Sequence, residues 1–352
     1  MNITRLKTRV VKLGEVMIGG NAPISVQSMT NTDTRNIKET VRQIRRLEKA
    51  GCEIVRVGVP DMQAAYGLGK IKSAIRIPLV ADIHFDYKLA LEAINQGVDG
   101  LRLNPGNIGS ASRVRDVTRA AMERSTPIRI GVNSGSVEKQ LLEKYGGPTP
   151  EAMVESALGH VAILEKSGFN HIKISLKASD VMRTVDAYRL LSNTVDYPLH
   201  VGVTEAGTLT QGCVKSSLGI GILLAEGIGD TIRVSLSAPP EKEIEVGFAI
   251  LRSLGLRRQG VNLISCPTCS RTEIDLLGLA TKVEKAVRSI KAPLSVAVMG
   301  CVVNGPGEAK EADIGIAGGK GRGILFKKGK VVGTFQEKDL LKALLDEIRA
   351  MA

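Results

Sequence analysis

The stretch PIRIGV, at Pro127–Val132, carries the pattern that decides the fold. Two isoleucines flank the cation Arg129, and a glycine follows them. The same order of apolar residue, cation or imidazole, apolar residue and small or short polar residue recurs at 55–58 (VRVG), 101–104 (LRLN), 172–175 (IKIS), 199–202 (LHVG) and 232–235 (IRVS). Because successive side chains of a strand point to opposite faces, each stretch predicts a strand with one apolar and one polar face.

Eight strand-like stretches alternate with helix-like segments between residues 24 and 254. Ile37, Val41, Ile44 and Leu47 have helical spacing and end at Gly51, a usual residue just past a helix. Eight such units predict a (β/α)8 TIM barrel. An open doubly wound sheet is the alternative, but it leaves the eightfold count unexplained. The strand-like stretches are ISVQSM, IVRVGV, PLVADIHF, GLRLN, PIRIGV, HIKISLK, PLHVGVTE and TIRVSLS.

The sequence changes character after Gly255. Residues 262–352 combine short strands, a hairpin-like GILFKKGKVVGTF and a final helical segment, which indicates a small α+β domain. The fold class is therefore α/β, a (β/α)8 TIM barrel followed by a small α+β domain. We predict a substrate-binding barrel with an N-terminal hairpin at 1–255 and a metal-binding domain at 262–352.

Composition narrows the classes of partner. The chain has 352 residues, a net charge of +12 and no tryptophan. Its apolar runs are shorter than the ~18 residues of a membrane span, and no secretory signal is visible, which predicts a cytoplasmic protein with no membrane partner. The aromatic content of 3% argues against a nucleic-acid partner, since stacking platforms would be scarce. An acidic small molecule fits the charge better.

The repeated cations face the interior of the predicted barrel. The apolar neighbours must pack on the helices, so the residues between them point inward. The third strand adds Asp82 and His84 on the same face, and the sixth continues to Lys177. Small or short residues, among them Asn104 and Ser235, follow toward the mouth and leave room for a ligand. The inward residues of the repeat are Arg56, Arg102, Arg129, Lys173, His200 and Arg233.

Buried cations need compensating anions. An unpaired buried cation costs on the order of several kcal/mol. The alternative is that the cations pair with Asp82, Glu205 and Asp230 inside the barrel, but three carboxylates are too few to neutralise this many cations. The guanidinium of arginine can donate two parallel hydrogen bonds to a phosphate. We therefore predict a ligand with several phosphate oxygens at the mouth of the barrel.

Three cysteines of the second domain form a candidate metal site. CPTC supplies Cys266 and Cys269, and GCVVNGPGE supplies Cys301 and Glu308. Three thiolates suit zinc or an iron–sulfur centre. The domain has no histidine and no fourth cysteine, which disfavours a closed zinc site. Three thiolates plus the Glu308 carboxylate would leave one iron with a weaker oxygen ligand, where a substrate oxygen could bind.

Six motifs together resemble the 4-hydroxy-3-methylbut-2-enyl diphosphate synthase family, in its two-domain bacterial form. The motifs cover nearly the whole chain: SVQSMTNTDT, LRLNPGNIG, IRIGVNSGS, GVTEAGT, CPTCSRTEIDL and GCVVNGPGEA. The resemblance implies reductive ring opening of 2-C-methyl-D-erythritol 2,4-cyclodiphosphate, a late step of isoprenoid biosynthesis. It also implies flavodoxin or ferredoxin as the electron donor.

The resemblance further implies roles for particular residues. A [4Fe-4S] cluster would be held by Cys266, Cys269, Cys301 and Glu308. Glu205 would be the acid near the reacting hydroxyl, although a salt bridge to an interior cation is its alternative. The diphosphate would be held by Arg102, Arg129, Asn133, Lys177, Arg233 and Ser235.

The length of the connection between the domains predicts a homodimer. The eighth strand ends near Ser237 at the mouth, and the helix at about 241–254 must return to the opposite face. That helix is ~21 Å long, and the link at 255–261 spans at most ~25 Å. A second subunit solves the problem, since each metal-binding domain can cap the partner's barrel. The family resemblance points the same way.

Two other functions compete with this interpretation. A nucleic-acid-binding barrel with a structural metal site would bind zinc, and its affinity would fall steeply with salt. A thioredoxin-like disulfide exchanger needs only Cys266 and Cys269, and it leaves Cys301, Glu308 and the basic barrel unexplained.

Overall fold

The chain divides into two compact units, Met1–Arg257 and Arg258–Ala352. A computed structural model describes residues 3–288, 290–301, 307 and 309–351. Glu308, which the sequence analysis singles out, therefore lies outside the described residues.

The first unit is a barrel of eight parallel strands, which confirms the predicted fold class. The strands are hydrogen-bonded in the order β8-β7-β6-β5-β4-β3-β10-β9, and a bridge between Ile174 and Leu199 joins the two ends. All eight coincide with the strand-like stretches of the sequence. They are β3 (Ser25–Met29), β4 (Ile54–Gly58), β5 (Leu79–Asp82), β6 (Gly100–Arg102), β7 (Ile128–Asn133), β8 (Ile172–Lys177), β9 (His200–Val201) and β10 (Thr231–Ile232).

Helices surround the barrel and bury their apolar faces against it. Helix α1 ends at Gly51, whose φ of 98° is the left-handed conformation that glycine adopts without strain. Two 3₁₀ turns, Pro105–Asn107 and Ser134–Ser136, follow β6 and β7. The helices are α1 (Ile37–Ala50), α2 (Met62–Ser73), α3 (Tyr87–Asn95), α4 (Ala111–Glu123), α5 (Lys139–Tyr145), α6 (Pro150–Lys166), α7 (Val181–Ser192), α8 (Leu209–Ala225) and α9 (Pro240–Ser253).

The amino-terminal segment covers the end of the barrel where the strands begin. Its hairpin, β1 (Val11–Leu13) and β2 (Val16–Ile18), buries Leu13 and Ile18 against the first residues of β4 and β5. Asp230, just before β10, accepts a hydrogen bond from Arg5 and forms an ion pair with it at 2.8 Å. Asp230 is therefore paired with Arg5 at this end of the barrel, whereas the internal-pairing alternative requires it to pair with the interior cations.

In its described residues, the second unit contains a five-stranded sheet with two helices packed against its core. Strands β11 to β13 are parallel, and β14 and β15 continue the sheet antiparallel. Apolar residues of both helices share one core with β12, β13 and β14. The elements are β11 (Asn262–Ser265), α10 (Leu276–Val287), β12 (Ser295–Met299), β13 (Ile314–Gly319), β14 (Arg322–Lys327), β15 (Lys330–Gln336) and α11 (Glu337–Met351).

Among the described helices, none combines the length and the apolar character that crossing a bilayer requires.

Candidate active site in the barrel and candidate cluster site

A polar cavity of about 120 Å³ lies inside the first unit, where the barrel strands end. Its walls carry five cations, one carboxylate and short polar side chains from β4, β5, β6, β7, β8 and the segments after β9 and β10. The lining residues are Arg56, Asp82, His84, Arg102, Arg129, Asn133, Ser175, Lys177, Thr204, Arg233 and Ser235. The structure thus brings together nine of the thirteen residues predicted to be catalytic or substrate-binding.

Four predicted residues are not among those that line the cavity. Asn104 instead bonds to both backbone groups of Gly131, at 2.9 and 3.0 Å, and so joins the ends of β6 and β7. Lys173 is buried at 2% exposure, level with Arg129 on the neighbouring strand. Glu205 is exposed just beyond the lining residue Thr204. The fourth, Glu308, lies outside the described residues.

Two of the predicted small residues, Gly131 and Gly202, leave no room for a Cβ. A Cβ on Gly131 would lie 2.7 Å from Nε of Arg102, and one on Gly202 would lie 2.8 Å from Nζ of Lys177. At Gly131 the small residue of the pattern therefore has a steric cause, because Arg102 of the neighbouring strand folds over it. At Gly202 the nearer obstacle is the carbonyl oxygen of Arg233, which a Cβ would approach to 2.3 Å.

Arg129 is the most strongly buried cation of the cavity, at 2% exposure. Its Nη1 donates to Oγ of Ser175, but Nε and Nη2 have no hydrogen-bond partner among the described residues. Burial first, and then the charges of Arg56 and Arg102, hold the pKa of Arg129 well below its ordinary value. The guanidinium is thus prepared for an anion, since two of its donor nitrogens are desolvated and unsatisfied.

The other interior cations experience the same shortage of negative charge. Burial lowers the pKa of Arg56 to about 10 and that of Lys173 to about 7. Burial, followed by the charges of Arg233, Arg129 and Arg56, holds the pKa of Lys177 well below its ordinary value. A diphosphate in the cavity would favour the charged forms of these groups.

Asp82 is the carboxylate of the cavity wall. Its oxygens lie 3.5 Å from Nε of Arg56, 3.4 Å from Nη1 of Arg102 and 3.7 Å from Nε2 of His84. Burial favours its neutral form, but Arg56, Arg102 and His84 together outweigh burial and lower its pKa. Asp82 therefore stays ionised and orients the two arginines.

Sequence reasoning missed a second interior carboxylate, Glu243 on α9. It is 4% exposed, accepts hydrogen bonds from Ser28 Oγ at 2.9 Å and Leu236 N at 3.1 Å, and lies 3.7 Å from Nε of Arg233. Acidic residues are common in the first turn of a helix, so the position of Glu243 in the sequence did not indicate a role in the barrel interior. Among the described residues, Asp82 and Glu243 are the carboxylates in ion-pair contact with the cavity's five cations, which leaves an excess of positive charge.

Thr204 was also missed, although the strand pattern could have found it. It lies two residues beyond Gly202 and four beyond His200, on the same face of the extended segment. The next residue, Glu205, has a φ of 51°, the left-handed region that a glutamate rarely occupies. Such backbone strain is concentrated at functional sites, which fits a role for this turn.

The cysteines of the second unit follow neighbouring parallel strands. Cys266 comes directly after β11, and Gly300 alone separates Cys301 from the end of β12, so both cysteines lie at the carboxyl edge of the sheet. The backbone N–H of Gly300 approaches Sγ of Cys266 at 3.2 Å. Cys269 is exposed, and hydrogen bonds from the backbone and then the side chain of Arg271 lower its pKa.

These donors fit an iron–sulfur centre in chemistry, because thiolates and N–H groups directed at sulfur are what such a centre uses. Within the described ranges, which exclude 302–306 and Glu308, no three His, Cys, Asp or Glu side chains are gathered into a metal site.

Comparison with known proteins gives matches to both units. Residues 8–248 match the GcpE TIM-barrel domain, and residues 262–350 match the GcpE protein C-terminal domain. A protein of Thermodesulfovibrio yellowstonii is 62% identical over 347 residues, which cover 99% of each chain. A protein of Geobacter sulfurreducens is 62% identical over 344 residues, which cover 98% of each chain. Both are named 4-hydroxy-3-methylbut-2-en-1-yl diphosphate synthase (flavodoxin).

Similarity to solved structures concerns the fold alone. The dihydropteroate synthase of Yersinia pestis superposes with a TM-score of 0.50 at 12% identity, over 70% of this chain and 98% of that chain.

Proposed function

This chain belongs to the GcpE family, and we propose that it catalyses the reaction for which its relatives are named, as an oxidoreductase of isoprenoid biosynthesis. The substrate is 2-C-methyl-D-erythritol 2,4-cyclodiphosphate and the product is 4-hydroxy-3-methylbut-2-enyl diphosphate. The observation that carries this proposal is the cavity with five cations, in which two donor nitrogens of Arg129 have no partner in the described part of the chain. A cyclic diphosphate supplies the missing negative charge.

The barrel residues bind and orient the substrate. The negative charge of the phosphates is neutralised by four cations from different parts of the barrel, Arg102, Arg129, Lys177 and Arg233. Uncharged donors come from Asn133, Thr204 and Ser235. The reaction breaks the carbon–oxygen bond to one ring phosphate, expels a hydroxyl as water and forms a carbon–carbon double bond, using two electrons. Glu205, on its strained turn beside Thr204, supplies the proton that lets the hydroxyl leave as water.

The second unit supplies the redox chemistry. Cys266, Cys269, Cys301 and Glu308 would hold a [4Fe-4S] cluster. When bound, this cluster supplies the two electrons and a Lewis acid for the departing hydroxyl. Flavodoxin, which the names of the relatives include, or ferredoxin would deliver the electrons to it. A cytoplasmic location is part of the proposal, since these partners and the free thiols fit a reducing compartment.

A homodimer with composite sites is also part of the proposal. Arg257, the last residue of the first unit, donates to the carbonyl oxygen of Ile24 and to Oε1 of Glu53, each at 2.8 Å. Both partners precede barrel strands, so the chain leaves the barrel at the face opposite the cavity. This exit supports a cluster domain that serves the barrel of a second subunit.

The proposed role of Glu308 as an iron ligand can be tested by iron and sulfide analysis of anaerobically purified protein. The wild type and Glu308→Cys should both hold four irons per chain, but the variant should lose most of its turnover, because a thiolate is displaced less readily than a carboxylate. Lys310→Cys, at an exposed neighbouring position, is the matched control and should keep its activity. A fully active Glu308→Cys enzyme would refute the open iron, and zinc in place of iron would favour the nucleic-acid-binding alternative.

A further inference from the structure

His160 connects two loops at the mouth of the barrel. It lies on α6, outside the ring of strands, and is 4% exposed. Its Nδ1 accepts a hydrogen bond from the backbone N–H of Gly106 at 3.3 Å, and its Nε2 lies 3.3 Å from Oε1 of Glu138. One buried ring therefore contacts both the loop after β6 and the loop after β7.

One loop begins at a residue bonded to the strand beside it, and the other begins at a lining residue of the candidate active site. The first starts at Asn104, which is bonded to Gly131 at the end of β7. The second starts at Asn133, a lining residue of the cavity, and reaches Glu138 after one 3₁₀ turn. The N–H of Asn133 donates to Oγ of Ser136 at 2.9 Å, so the turn and its first residue are held together.

The fit between the ring and the first loop is close. A Cβ on Gly106 would lie 2.8 Å from Cε1 of His160, so the ring packs directly on the loop backbone. Because Nδ1 accepts from Gly106, the proton of the neutral ring is on Nε2, which faces the carboxylate of Glu138. The neutral tautomer satisfies both neighbours.

We propose that His160 is a positioning residue, which holds the two mouth loops and thereby keeps Asn133 in place for the diphosphate. The proposal rests on the proposed function, because it assigns the diphosphate to this cavity. His160 touches neither the substrate nor the reacting atoms, and it acts through Gly106 and Glu138.

Protonation of the ring would break this connection, because Nδ1 would then oppose the N–H of Gly106. The charged groups that act on the ring are Glu138 from the β7–α5 loop and Arg102 from β6. On α6 itself, Glu155 is already held by Lys144 and Tyr145 from α5. Burial lowers the pKa of His160 below 6.5, Glu138 opposes this shift, and Arg102 adds to it. The connection is therefore intact at neutral pH and is lost as the pH falls through that lowered pKa.

The test uses the holoenzyme and inorganic pyrophosphate, with binding measured by calorimetry. His160→Ala and His160→Gln should weaken pyrophosphate binding about fivefold to tenfold at pH 8, the effect of about one hydrogen bond. They should raise KM more than they lower kcat, and leave the iron content unchanged. His171→Ala is the matched control, since His171 is exposed just before β8, and it should bind as the wild type does.

The pH profile separates positioning from a purely structural role. The ratio of the His160→Gln dissociation constant to that of the wild type should fall toward one as the pH is lowered from 8 through the depressed pKa of His160, because only the wild type loses its connection. Glu138→Gln, on a side chain that is 44% exposed, tests the second contact if the His160 variants do not fold. It should weaken binding about twofold to threefold.

Wild-type affinity in His160→Gln and Glu138→Gln, or a ratio that does not change with pH, would overturn the proposal. If the wild type binds pyrophosphate but does not convert the cyclodiphosphate, the proposed function fails while the positioning of the loops remains measurable.

Discussion

Replacing Arg129 with alanine should weaken binding of the cyclodiphosphate by about 2–5 kcal/mol, which is a rise of roughly thirtyfold or more in its dissociation constant. The physical reason is that Nε and Nη2 are buried and no described residue accepts a hydrogen bond from them, so both nitrogens are available to donate to the ligand. KM and turnover with the cyclodiphosphate measure the effect, and calorimetry with pyrophosphate measures it independently of the cluster.

Stability distinguishes this ligand role from a structural one. The pKa of Arg129 is held low by burial and by neighbouring cations, so its charge opposes folding of the ligand-free barrel. Arg129→Ala should therefore keep or raise the melting temperature while it destroys binding. Arg119→Ala, at a side chain that is 70% exposed, is the control and should change neither the binding nor the melting temperature. Unchanged KM and turnover in Arg129→Ala would show that Arg129 does not hold the phosphate.

Mixing two inactive variants should restore activity if the sites are shared between subunits. Cys301→Ala removes a proposed cluster ligand, and Arg129→Ala removes a proposed phosphate ligand. In a mixed dimer with composite sites, one site carries both defects and the other carries neither. Each verified mixed dimer should then have about half of the wild-type activity, because one of its two sites is intact.

The control for the mixing experiment combines two variants that are both defective in the cluster domain. Cys301→Ala mixed with Cys269→Ala should stay inactive, since both defects lie in the same kind of domain and every site keeps one. If purified mixed dimers of Cys301→Ala and Arg129→Ala also stay inactive, the cluster serves the barrel of its own chain and the composite site is refuted.

The sequence predicted the barrel because each strand carries its own local signal. Apolar pairs around a cation mark the inward and outward faces in stretches such as 128–131 and 172–175, and the structure confirms all eight strands. The family resemblance, based on six motifs, is likewise confirmed.

The sequence did not predict how far along the barrel axis each inward-facing side chain would lie. Alternation places Lys173 and Lys177 on the same face of β8, but only Lys177, four residues farther along the strand, is among the lining residues, while Lys173 is buried. Glu243 and His160 could not be found in this way, because both lie on helices and reach their partners through tertiary packing.

The central claim is that this chain opens a cyclic diphosphate reductively, and substrate turnover tests it most directly. Anaerobically purified protein with its full iron and sulfide content would receive 2-C-methyl-D-erythritol 2,4-cyclodiphosphate and reduced flavodoxin. We expect 4-hydroxy-3-methylbut-2-enyl diphosphate to accumulate, with two electrons consumed per molecule. Protein that holds four irons and binds pyrophosphate, yet leaves the cyclodiphosphate unchanged with both flavodoxin and ferredoxin, would contradict the claim.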